Sequence, residues 1–236
     1  MATYVQLTNE LLRRLNEVPL DIAGDGFDSV RNVQAASKDA INNSLRQIFQ
    51  VGQEWPFLKN TYTQPLTAGT RLYSFPSGYS SVDWETFYIK KHSTKQNQPQ
   101  LLKAIPYEEY LQHYRSMDDT GDASGISVPT VVYQTFGDEF GVTPIPDSDY
   151  EIEYVYWSSP SDLALYSDSC VVPDRFNHVI IDGAMAYMMT FRSNEQSAAI
   201  HQEKFDQGIR TMRRVLVDDE MRLRSTMIER SARWTI

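Results

Sequence analysis

Residues 29–66 read SVRNVQAASKDAINNSLRQIFQVGQEWPFLKNTYTQPL, and the period of the hydrophobic pattern changes inside them. Up to residue 53 the small and apolar positions are Val30, Val33, Ala36 or Ser37, Ala40, Ile41, Leu45, Ile48, Phe49 and Gly52. They form one stripe at 3.6-residue spacing, which predicts an amphipathic helix over about 29–53. Asp28 or Ser29 is the expected N-cap. The opposite face is polar, with Asn32, Lys38, Asp39, Asn42, Asn43, Arg46 and Gln50. Trp55-Pro56-Phe57 breaks the helix. From about residue 60 the spacing is that of strands. Thr61–Leu66 and Arg71–Phe75, joined by Thr67-Ala68-Gly69, predict a hairpin.

Outward from this switch the chain reads as helices, then strands, then helices. On the N-terminal side a helix is expected near 8–18, capped by Thr8, with Leu11, Leu12, Leu15 and Val18 on one face and Pro19 as its stop. On the C-terminal side come strand-like runs at 82–90 and 100–105 and a short helix over Pro106–Arg115. A polar loop spans 116–128, and strands follow at Thr130–Phe136 and Phe140–Thr143. The segment 150–156 alternates strictly, placing Tyr150, Ile152, Tyr154 and Tyr156 on one face. Helix returns near 174, with a stripe of Phe176, Val179, Ile180, Gly183, Ala184, Tyr187, Met188 and Phe191. Gly183, Ala184 and Ala186 keep part of this stripe thin, so that another helix can approach. A last helix is expected over about 196–217, on Ala198, His201, Phe205, Gly208, Ile209, Met212, Val215 and Leu216.

The fold class that follows is α+β. An antiparallel α-helical bundle is built from residues 1–59 and 171–218, an antiparallel β module is inserted at 60–170, and an extended C-terminal tail occupies 219–236. The length of 236 residues allows a sizeable core, and 41% hydrophobic with 12% aromatic residues excludes wholesale disorder. The single Cys170 excludes an internal disulfide. Neither a membrane span nor the apolar run of a signal peptide is read, which predicts synthesis in the cytoplasm and no membrane partner.

The formal charge of -9 argues against a general nucleic-acid binder. It is unevenly spread. Residues 60–170 carry 6 basic and 15 acidic groups, whereas residues 201–236 carry 8 basic and 6 acidic. Separate surfaces with separate partners are the expectation.

The sequence offers little chemistry. His92, His113, His178 and His201 are scattered without ligand spacing, so no metal or cofactor is expected. Cys170 in SDSCVVP has no local His and reads as a buried or half-buried structural thiol. No phosphate-binding loop has the required glycine spacing. Asp21, Asp25 and Asp28 do not follow the calcium-loop pattern. Glu108/Glu109 and Glu151/Glu153 read as solvated faces rather than an acid/base pair. The aromatic residues of the acidic module serve equally as its core or as a docking surface. The tail is more specific. Arg222, Arg224, Arg230 and Arg233 accompany Met227, Ile228 and Trp234, residue types enriched at interface centres. Such a segment is expected to dock on a partner and to order there.

The order of features resembles the head-to-tail adaptor, or connector, proteins of tailed bacteriophages, especially short-tailed ones. The residues that carry the resemblance are Gln53-Glu54-Trp55-Pro56-Phe57 after the long helix, then Tyr62 through Pro76, Leu101 through Tyr110, and Val128-Pro129 with Tyr133. Gly141-Val142-Thr143-Pro144-Ile145-Pro146 before Tyr150–Tyr156, the helix with Gly183-Ala184 and the last helix with Phe205 complete it. The resemblance spans roughly residues 5–218.

It implies a non-enzymatic virion protein of the neck. Such adaptors form a ring, usually of twelve, below the portal protein, with a C-terminal segment reaching into or along it. Their β part faces the tail nozzle, tail tube or fibres, and DNA passes through the ring without specific binding. On this basis Arg222, Arg224, Met227, Ile228, Arg230, Arg233 and Trp234 are the expected portal-binding residues, while the nozzle-facing residues are unassigned. Another neck, tail-completion or baseplate component is the alternative. A peptidoglycan hydrolase is disfavoured, because no Glu/Asp constellation is recognised.

Overall fold

A computed structural model describes residues 1–20, 27, 30–51, 54–90, 99–116 and 125–217. The fold is α+β. The chain divides into two compact units, a helical one from 1–58 with 160–236 and a β-rich one from 59–159.

The helical unit holds α1 (Tyr4–Arg14), α2 (Val33–Val51), α4 (Asn177–Phe191) and α5 (Glu195–Leu216). The first helix starts four residues before the expected one. Its cap is Thr3, whose hydroxyl accepts from the Gln6 amide while the Gln6 side chain accepts from the Thr3 amide. Thr8 lies inside the helix and is buried, its hydroxyl donating to the Tyr4 carbonyl. Tyr4, Leu7, Leu11 and Leu15 extend the buried stripe in the N-terminal direction, and packing along it outweighs the cap signal at Thr8. Val18, expected on that stripe, is exposed because Leu15 already caps the helix.

Helix α2 buries Ala40, Ile41, Leu45 and Ile48 as the stripe predicts, and Ser37 and Ser44 with them. The two serines are tolerated because each hydroxyl has a partner. Ser37 donates to the Val33 carbonyl at 2.8 Å and Ser44 to the Ile180 carbonyl of α4 at 2.9 Å. Trp55 is buried beyond the end of α2, with its indole N–H donating to the Ile48 carbonyl.

Helix α4 packs against α1, α2 and α5. A Cβ on Gly183 would stand 2.4 Å from Ser44 Oγ and 2.7 Å from the Phe205 ring, so only glycine lets α2 and α5 come this close. Gly208 of α5 answers it, meeting the Val179 side chain at 2.8 Å.

The sequence places residues 160–170 with the β module, and this boundary is corrected. They belong to the helical unit. Leu163 exchanges two hydrogen bonds with the Asn42 side chain of α2. Arg46 of α2 pairs with Asp162. Backbone bonds join Tyr4 to Asp168 and Cys170 to Ala2.

Among the described residues the β unit holds two sheets. One has the order β1-β9-β4-β5, with β3 also on β9, from strands Lys59–Leu66 (β1), Tyr79–Val82 (β3), Tyr88–Ile89 (β4), Gln100–Leu101 (β5) and Tyr150–Ser158 (β9). The other has the order β2-β8-β7-β6, from Leu72–Ser74 (β2), Lys103–Ile105 (β6), Val131–Gln134 (β7) and Glu139–Thr143 (β8). A core of Leu66, Ile89, Ile152 and Tyr154 from the first sheet meets Tyr73, Val132, Phe140 and Val142 from the second.

Three expectations for this unit are corrected. The hairpin at residues 61–75 does not form. β1 pairs along its whole length with β9, and β2 pairs with β8. The turn between them carries the chain from one sheet to the other, with Gly69 at φ +78 and the Tyr73 hydroxyl bonded to Thr67 and Thr70. The run 82–90 is two short strands around a 3-10 turn at Trp84–Thr86.

The sheets are not wholly antiparallel, since β6 lies parallel to β7. The connection between them carries α3 (Tyr107–His113), and a crossover of that length is what parallel neighbours require. Helix α3 places Tyr110 on Ile105, Val131 and Tyr133. Tyr110 and Tyr133 stack at 3.8 Å. Gly141, opposite Tyr133 in the register, leaves room for that ring, which a Cβ would meet at 2.2 Å. The two strands expected over 130–143 do form and pair antiparallel as β7 and β8.

Candidate interaction surfaces

Every expected portal-binding residue, Arg222, Arg224, Met227, Ile228, Arg230, Arg233 and Trp234, lies outside the described residues, as does His92. What the structure supplies is the helix from which that tail departs. α5 is capped by Asn194, whose side chain accepts from the Ser197 amide, and it buries Phe205, Ile209 and Met212. Its last two turns expose Arg210, Arg213 and Arg214. The basic character assigned to residues 201–236 therefore begins on an ordered helix.

The same helix forms one wall of a groove of about 520 Å³ with α4. Its floor is small, made of Ala186, Ala198 and Ala199, and Thr190 lies among them. Tyr187 and Phe191 of α4 stand over it, 41% and 61% exposed. Gln47 of α2 and Gln202 of α5 supply the polar edges, with the Gln47 amide facing the Tyr187 hydroxyl. Sequence reasoning missed this surface because Tyr187 and Phe191 fall on the same stripe as the buried Val179, Ile180 and Met188. One signal was available: Ile181 and Met185 are buried as well, so α4 is apolar over more than one stripe's width.

In the β unit most aromatic side chains are core. Phe75, Phe87, Phe140 and Tyr154 pack as a cluster with ring centroids 4.7–6.0 Å apart. Phe136 at the tip of the β7–β8 hairpin is the most exposed of them, 83% exposed, with its ring in an edge contact with Tyr107. Burial raises the Tyr154 phenol well above its ordinary value, as the low-dielectric core disfavours the phenolate. Residues 59–159 carry seven Lys or Arg and thirteen Asp or Glu, a net charge of -6. The deficit read over 60–170 is thus partly reassigned. Asp162 and Asp168 serve the helical unit, the first paired with Arg46 and the second accepting the Ala164 and Leu165 amides.

The groups considered for chemistry are dispersed. Among the described residues no cluster of three His, Cys, Asp or Glu could hold a metal ion. Cys170 is buried, and desolvation pushes its thiol up to about 11. Glu109 pairs with Lys103 and Glu153 with Lys90 on exposed faces. Among the described residues no helix is long and apolar enough to cross a membrane.

The SU10 adaptor protein family model matches residues 2–231, nearly the whole chain and both units. The chain belongs to that family. The resemblance to phage head-to-tail adaptors, drawn from the order of helix, strand and turn motifs, is borne out. No curated protein matches the chain. The adaptor's two units, with the β unit at -6 and the helical unit continuing into an arginine-rich segment, are the geometry that any function must use.

Proposed function

We propose that this adaptor is a non-enzymatic structural connector that forms a ring below the portal and joins the capsid to the tail nozzle. The family match over residues 2–231 carries the reading. Arg222, Arg224, Met227, Ile228, Arg230, Arg233 and Trp234 dock on the portal: the arginines supply charge-assisted hydrogen bonds and the apolar side chains supply buried area. The β unit, with its net negative charge and the exposed Phe136, faces the nozzle side. A negative channel wall suits passage of DNA, because like charge does not grip phosphate.

Deletion of residues 219–236 tests the docking assignment. Portal attachment is expected to be lost, while the helical circular dichroism stays near that of the full chain. Retention of full binding would overturn it.

A further inference from the structure

Among the described residues, those that line the groove between α4 and α5 include no charged side chain. The two cations nearest in sequence are engaged elsewhere: Arg192 donates to the Leu15 carbonyl and Glu17, and Arg46 to Asp162 and Asn43. Carboxylates flank it instead. Glu195, Ala199, Gln202 and Asp206 fall at i, i+4, i+7 and i+11, one face of α5, with both acids exposed and one Asp206 oxygen accepting from the Gln202 side chain. An apolar trough between carboxylates selects an occupant that is apolar and cationic. Residues 221–236 of this chain have that composition: Met221, Leu223, Met227, Ile228, Trp234 and Ile236 with four Arg against one Glu.

Reach is sufficient. From Leu216 back to Ala199 is ~26 Å along the helix, and the nineteen residues after Val217 span up to ~60 Å when extended.

We infer that, before assembly, residues 221–236 occupy the α4–α5 groove of their own chain, apolar side chains against Phe191, Tyr187 and the alanine floor and arginines beside Glu195 and Asp206. The seated tail covers the exposed Phe191 and Tyr187. It is released when a competing partner surface is present, which makes docking conditional on that partner. This last step alone rests on the portal reading of the tail; the seating itself does not.

The test uses the full-length chain and two double variants, Ala199→Cys with Ala232→Cys and Gln202→Cys with Ala232→Cys. Ala199 and Gln202 are exposed, so neither change disturbs the core, and the native Cys170 is buried. Under mild oxidation of the protein alone, both pairs are expected to form an intrachain disulfide, seen as a monomer with only Cys170 free after denaturation. A control pair, Lys204→Cys with Ala232→Cys, places the thiol on the side of α5 opposite the groove and is expected to stay reduced. Interchain products would overturn the intrachain seating. Equal cross-linking of the control, or none in either test pair, would overturn occupation of the groove. None of these results depends on whether deletion of 219–236 abolishes portal attachment.

Discussion

Gly183 shows how much of the helical unit hangs on one missing methyl group. Its nearest neighbours are the Ser44 hydroxyl, committed to the Ile180 carbonyl, and the Phe205 ring, wholly buried on α5. Neither can swing away, since moving Ser44 leaves its own buried hydroxyl unpaired and moving Phe205 opens the α4–α5 contact. Gly183→Ala gains about 1 kcal/mol of helix propensity and loses about 1–3 kcal/mol to overpacking. We expect a net loss, read as a Tm lowered by a few degrees with the helical circular dichroism unchanged. A variant as stable as the parent would mean that α2 and α5 do not converge on this residue. The position was legible in the sequence as a thin spot on an apolar stripe. Its counterpart Gly141 was legible only as a glycine inside a strand, because the ring it admits comes from the neighbouring strand.

Individual elements were legible where the information is local. The stripes of α2, α4 and α5 and the alternation of β9 follow from side-chain periodicity, which one segment carries alone. Strand partnership is not local. Alternation fixes which face of β1 is buried but not that its partner begins some 90 residues away, and a Thr-Ala-Gly turn serves a hairpin and a sheet-to-sheet crossing alike. The segment 160–170 escapes a local reading for the same reason, since its anchors lie on α2 and on residues 2–5. One anchor gives a pH signature. Asp162 is held below the usual carboxylate range, first by the hydrogen bond from Arg46 and then by its charge. A depressed value means that the pair's stabilisation is complete above pH ~4 and is lost as the pH falls through the lower folded value. Arg46→Gln should therefore lower Tm slightly near neutrality, with the gap to the parent closing as the pH drops below about 4. Both side chains are roughly half exposed, so the effect is small. A gap that stays constant through the acid range would show that the Asp162 charge contributes nothing and that Asn42 and the backbone bonds to Ala2 and Tyr4 hold the segment.

At the scale of the whole molecule the tail and the groove were unequally legible. An arginine-rich segment with Met, Ile and Trp announces itself in composition, whereas the groove exists only once α4 and α5 are packed and their alanines meet. The ring reading belongs to this scale, and charge supplies its test. Each chain carries -9, with -6 of it on the β unit, so bringing copies side by side costs electrostatic work that salt removes. The screening length shrinks from ~10 Å at 0.1 M to ~3 Å at 1 M salt. Assembly of the chain with itself should thus rise with salt, while attachment of the arginine-bearing tail to a partner should weaken. Native mass spectrometry of samples equilibrated across that range, alone and with portal, counts the subunits directly. We expect one discrete closed oligomer whose population grows with salt in the chain alone. A chain that stays monomeric throughout, with portal as well as without it, would remove the ring and leave an adaptor that acts singly.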